Sequence, residues 1–199
     1  MIIGFTFSIA LGRYDQRENY EEGEANAIGI AYRRADLFPA GDAAKVRALL
    51  RDFLDQRIAF YETRDAQALR RVNERTAELQ SQLWSAVRPA ASSQPTPIVA
   101  PAVSGINDVM TAQGHAQSVW SYNVPMAAWA LMTLIALACN AMVGYGSHDR
   151  PRGHRLLLIL PLLLAIAFSV IADLDAPRNG FINVRPVNLT SLADSLRQK

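Results

Sequence analysis

Hydrophobic positions along the chain fall into two kinds of run. Three runs are unbroken: "MIIGFTFSIALG" at 1–12, "PMAAWALMTLIALACNAMV" at 125–143 and "LLLILPLLLAIAFSVIA" at 156–172. The other kind is periodic. Val46, Leu49, Leu50, Phe53, Leu54, Ile58 and Tyr61 recur at helical spacing behind Gly41-Asp42, a plausible N-cap. Leu69, Val72, Thr76, Leu79 and Leu83 continue at steps of three and four with Arg and Glu between them. Such stripes bury one face of a helix against another, so 42–88 is expected to be an extramembrane helical hairpin held by helix packing, with no chemistry required.

Between these runs lie weaker signals. Residues 89–101, "PAASSQPTPIVAP", form a Pro/Ser-rich linker that a continuous helix is not expected to cross. A weakly amphipathic helix is expected over 102–122, with Asn107, Asp108, Gln113, His115 and Gln117 as its polar positions. The apolar run at 1–12 passes into "RYDQRENYEEGEANAIGIAYRRADLFP" with no break signal before Pro39, so 1–38 is expected to be a partial transmembrane helix continuing into a long polar helix. As a helix, twelve residues reach only about 18 Å, short of a hydrocarbon core of about 30 Å.

The later runs are long enough to span. Residues 125–143 would reach about 28 Å as a helix. Trp120, Tyr122 and Trp129 gather at one end and Tyr145 at the other, the level that aromatic rings prefer in a bilayer. The run at 156–172 contains Pro161, tolerated in a membrane helix as a kink. Together they predict a transmembrane hairpin over 125–172, followed by a C-terminal tail, 173–199. Its connecting loop, "GYGSHDRPRGHR", sets Arg150, Arg152 and Arg155 against Asp149. Arginine-rich short loops stay cytoplasmic, which places the charged helices on the opposite side.

Charge distribution sharpens the division. Residues 13–88 hold thirteen Lys or Arg and thirteen Asp or Glu, whereas 125–143 and 156–172 hold none. A net charge of +2 supplies no basic surface for nucleic acid, and no nucleic-acid module is visible. Cys139, within an apolar run, is expected to be a small core residue; no disulfide or zinc spacing exists. His148 and His154 flank Asp149 in a loop with too few ligands for a metal. No phosphate loop, nucleophile elbow or HExxH occurs, so neither an enzyme nor a cofactor is expected.

Two polar groups carry the functional question. Asp173 and Asp175 stand where a helix leaves its apolar run, against the negative end of the helix dipole. They are expected either to pair with Arg178, or with Arg13 and Arg17, as anchors, or to line a cation pathway at membrane depth. On the first helix, Glu22, Asn26, Gly29 and Arg33 recur at steps of four, three and four and share one face, with Glu24 nearby in "EEGEANAIG". Close helix packing and a polar pathway are the two readings of that face.

The segments "GRYDQRENYEEGEANAIGIAYRRADLFP", "GINDVM", the hydrophobic hairpin and "DLDAPRNGFINV" together resemble the bacterial bestrophin-like family of membrane proteins. The most specific pieces are Glu24, Ala25, Asn26 and Ala27, and Asp173, Leu174, Asp175, Pro177, Gly180 and Ile182. The resemblance implies four membrane helices in two hairpins flanking a helical soluble region, against which this chain shows half of the second span and not the first. It also implies cytoplasmic soluble helices, opposite to the loop arginines, and, by analogy, anion conduction. The expected fold is therefore all-α, a multi-pass membrane protein with a helical extramembrane domain, in a bacterial inner or plasma membrane. Membrane lipids and further copies of the chain are the expected partners. An oligomeric ion channel or transport-related protein is the first functional expectation; a membrane-anchored scaffold without transport is the other.

Overall fold

The computed structural model describes residues 2–93, 97–121, 124–146, 159–176, 178 and 180–198. Its described residues are mostly helical, with no strand among them. The helices run α1 (Ile2–Arg34), a short 3-10 turn (Ala35–Leu37), α2 (Ala40–Glu62), α3 (Ala66–Ser93), α4 (Ala100–Val119), α5 (Met126–Gly146), α6 (Ile159–Asp175) and α7 (Val187–Arg197). They divide into two units, an apolar one of Met1–Asp15 with Tyr122–Asn183 and a charged one of Gln16–Ser121 with Val184–Lys199.

In the charged unit, α2 packs on α3 and on α7, and α3 packs on α4. The stripe on α2 does this work: Val46, Leu50, Phe53, Leu54 and Tyr61 are buried, while Leu49 and Ile58 are half-covered. On α3, Thr76, Leu79 and Leu83 are buried and Leu69 and Val72 are half-covered. Fully burying one such leucine or phenylalanine contributes about 1.5–3 kcal/mol. Helix α4 lies against α1 at Gly105, where a Cβ would reach ordinary van der Waals contact, 3.5 Å from the Ala31 Cα. The α4 helix adds a short amide chain, Gln80 donating to Gln113 at 2.9 Å and Gln113 donating to Gln117.

In the apolar unit, Ala10, Met132, Ile171 and Leu174 form a small core, with Ile3, Tyr14, Trp129 and Phe168 packed around it. Most of the remaining apolar surface is left open. On α5, Met126, Leu134, Leu137 and Met142 are exposed, and on α6 so are Leu162, Leu163 and Ile166. Among the described residues α5 is the one helix long and apolar enough to cross a membrane, over Met126–Tyr145. The α6 helix is equally apolar but has 17 residues as described.

Three expectations need correction. Helix α3 runs through Pro89 to Ser93, five residues into the segment read as linker. Ser85, whose carbonyl would otherwise accept from position 89, is exposed, so the lost hydrogen bond falls near solvent close to the helix end. Pro161 lies within α6, and the residues before Ile159 fall outside the described ones. Cys139 is exposed on α5, in a cavity it lines with Ile3, Leu160 and Leu164, rather than packed in a core. The tail over 173–199 contains α7, which the pattern reading did not separate from it. His148, His154, Asp149 and the loop arginines Arg150, Arg152 and Arg155 lie outside the described residues.

Candidate functional site

Polar residues on α1 are sorted onto two opposite faces. The covered face carries Arg17, Glu21 and Glu24 at steps of four and three, followed by Ile28, Ala31 and Ala35, all buried. Charges inside a protein are tolerated only when paired, and each of these carboxylates is. Arg57, projecting from α2 between Phe53 and Phe60, donates from Nε to Glu24 Oε1 and from Nη2 to Oε2 at 3.4 Å. Tyr61, one turn further on, donates its hydroxyl to the same Oε2 at 3.2 Å. Glu24 and Arg57 are both fully buried.

The energetics of this cluster follow from its dryness. Burial pushes the Glu24 carboxyl above its ordinary value of 4.5, while the Arg57 charge and the hydrogen bonds from Arg57 and Tyr61 pull it back. Burial, and then the Glu24 charge, push the Tyr61 phenol well up, so it stays a donor. Arg57 rests on aromatic rings, its guanidinium carbon 4.3 Å from the Phe60 centroid and 5.9 Å from that of Tyr61. Phe60, Tyr61 and Trp120 meet edge to face, with centroids 5.5 to 5.6 Å apart, and Arg17 lies 6.0 Å from the Trp120 ring.

Glu21 serves a different end. Its carboxylate accepts from Asn188 Nδ2 at 2.7 Å and from the Leu189 backbone N–H at 2.9 Å. These groups belong to the first turn of α7, whose N-cap, Pro186, offers no side-chain acceptor. A carboxylate from α1 therefore satisfies a helix end that its own sequence leaves open, at the positive pole of its dipole.

The other face of α1 is open. Glu18, Glu22 and Asn26 are exposed in the charged unit, as is Arg33 in the last turn of the helix. Gly29, expected on this face, is buried instead: a Cβ there would lie 3.3 Å from Leu192 Cδ1, so α7 closes over it. The group Glu22, Glu24, Asn26 and Arg33 is thus split, with Glu24 inside and the other three outside. Arg17 and Glu21 complete the buried face; their spacing with Glu24 was the available signal, obscured because the stripe is charged.

Asp173 and Asp175 close the apolar unit. Asp173 accepts from the backbone N–H groups of Phe181 at 2.6 Å and Ile182 at 2.8 Å. Gly180 permits this turn, since a Cβ there would sit 2.5 Å from the Asp173 carbonyl oxygen. Asp175 accepts from the Val124 N–H at 2.7 Å, and its Oδ1 lies 3.7 Å from Arg13 Nη1. Arg178 sits half-buried in the following turn. Both acids thus tie the end of α6 to neighbouring backbone. No cluster of metal-ligating side chains occurs among the described residues.

The family model described as the bestrophin-like domain matches residues 1–189. The chain belongs to the bestrophin-like family. Crystal structures agree on the fold. A bacterial bestrophin homologue from Klebsiella pneumoniae carrying a point mutation matches with a TM-score of 0.73 and 13% identity, covering 99% of this chain and 80% of that one. A second crystal structure of a bacterial bestrophin homologue from the same organism matches with a TM-score of 0.72 and 14% identity, at the same coverage. No curated protein matches this bestrophin-like chain.

Proposed function

We infer that this bestrophin-like chain is a multi-pass membrane protein and a subunit of an oligomeric ion channel, in which the open polar face of α1 borders the ion path. The observation that carries this reading is the sorting of charge on α1. One face spends Arg17, Glu21 and Glu24 on internal packing, while Glu22, Asn26 and Arg33 remain exposed in the single chain. An exposed acidic side chain beside a permeation path concentrates or repels ions through its field. The exposed apolar sides of α5 and α6 suit lipid, and α6 at 17 residues reaches about 26 Å, close to a hydrocarbon core. Asp173 and Asp175, with their oxygens engaged by backbone and Arg13, act as anchors at the end of α6 in this reading, with Arg178 in the adjoining turn.

The test is ion flux in liposomes containing the purified full chain. Glu22→Gln and Asn26→Leu are expected to change flux or selectivity by roughly tenfold, the scale on which local charge alters ion concentration. Asp173→Asn, which keeps an acceptor for the turn, is expected to leave selectivity unchanged. A folded, inserted protein that passes no ions would overturn the channel reading in favour of a membrane-anchored scaffold.

A further inference from the structure

The charged unit contains an opening whose lining is unbalanced. It is a cavity of ≈ 370 Å³ between the last turns of α1, the start of α2 and the end of α7. Arg33, Arg47 and Arg51 line it, and Asp36 is the one carboxylate among its lining residues. Helix periodicity sets this up: Arg47 and Arg51 are one turn apart on α2, and Gly29 lets Leu192 of α7 close the wall.

The three guanidinium groups are not equally occupied. Arg47 pairs with Asp36 and lies 5.6 Å from the Tyr32 ring, yet its Nε is buried with no hydrogen-bond partner. Arg33 and Arg51 are exposed and make no ion pair among the described residues. Three cations against one carboxylate leave two positive charges facing one small cavity. Like charges held this close repel, and a dianion entering between them relieves that repulsion. Guanidinium forks match the oxygens of a phosphate two at a time, and the cavity is far larger than a halide ion needs.

We propose that the Arg33–Arg47–Arg51 cavity binds a phosphate group, carried either by a small soluble anion or by a lipid head group. This site shares Arg33 with the open face of α1, but it is read by anion binding and stands whether or not the chain conducts.

Isothermal titration of the purified full chain with inorganic pyrophosphate tests the soluble source. Nanodiscs with and without phosphatidylglycerol, followed by phosphorus analysis of retained lipid, test the other. Arg33→Ala and Arg51→Ala are exposed changes that leave the core intact, and each is expected to weaken binding about tenfold or more. Arg70→Ala, on an exposed position of α3, is expected to leave it unchanged. Arginine-dependent binding of pyrophosphate identifies a soluble anion; arginine-dependent retention of phosphatidylglycerol alone identifies a head group. Either result supports the proposal. Absence of binding by both probes, or binding that Arg33→Ala and Arg51→Ala do not alter, overturns it.

Discussion

Replacing Glu24 by alanine removes the only carboxylate that faces Arg57 at hydrogen-bond distance among the described residues, and leaves a guanidinium fully buried beside aromatic rings. Deleting one member of a buried ion pair costs about 3–5 kcal/mol, because the survivor loses its counter-charge but not its burial. For a chain of this size each kcal/mol shifts Tm by about 2–4 °C, so Glu24→Ala is expected to melt roughly 10 °C lower. Circular dichroism melts of the purified full chain in detergent measure this. The double variant Glu24→Met with Arg57→Met removes both charges and keeps most of the volume, and it is expected to recover to within about 1 kcal/mol of wild type. A loss below about 1 kcal/mol in Glu24→Ala, or a double variant worse than either single one, would refute the argument that pairing rather than packing makes this position intolerant.

Further predictions concern the same helices. Because the folded-state value of Glu24 lies above 4.5, the folded chain holds more protons than the unfolded one just above that pH, so this group's contribution is greatest on the acid side and declines as pH rises through the folded value. Melting wild type and Glu24→Gln side by side across that range should show the wild-type advantage shrinking with pH; a growing advantage would mean that the Arg57 charge outweighs burial. Glu21→Ala is expected to cost about 1–3 kcal/mol and to speed amide exchange at Asn188 and Leu189 well beyond its effect on α3, as seen by hydrogen-exchange mass spectrometry. Gly180→Ala is expected to destabilise the turn after α6 by about 1–3 kcal/mol, since a methyl 2.5 Å from the Asp173 carbonyl oxygen forces backbone to move. Equal melting of Gly180→Ala and wild type would show that the turn adapts freely.

Apolar periodicity carried much of the fold. Val46, Leu50, Phe53 and Leu54 announce α2 because burial selects one residue type at one spacing. The same logic fails on α1, where the covered positions 17, 21 and 24 are charged and the stripe is apolar only from Ile28 onward. Glu24 was visible as a candidate, but its partner could have been sought as well: Arg57 interrupts the apolar stripe of α2 between Phe53 and Phe60, and an arginine in a core face asks for a carboxylate. Helix α7 was hidden for a different reason. Leu189, Leu192 and Leu196 have helical spacing, but the signal that usually opens a helix is absent at Pro186, because the capping group arrives from Glu21, 168 residues away in the chain. The two aspartates at the end of α6 were legible as polar candidates, while the backbone groups they hold were not, since hydrogen bonds to main chain leave no mark on residue identity.

The buried charged stripe also limits how the charged unit can move. An apolar seam can slip by one turn and exchange one leucine contact for another at little cost. A salt link in a dry interior cannot, since a slip of about 5.4 Å strands both ions. Glu24 with Arg57, and Glu21 with the first turn of α7, therefore act as dowels that lock rotation and sliding of α1 against α2 and α7. Any rearrangement of this unit must carry the three helices together as one rigid block.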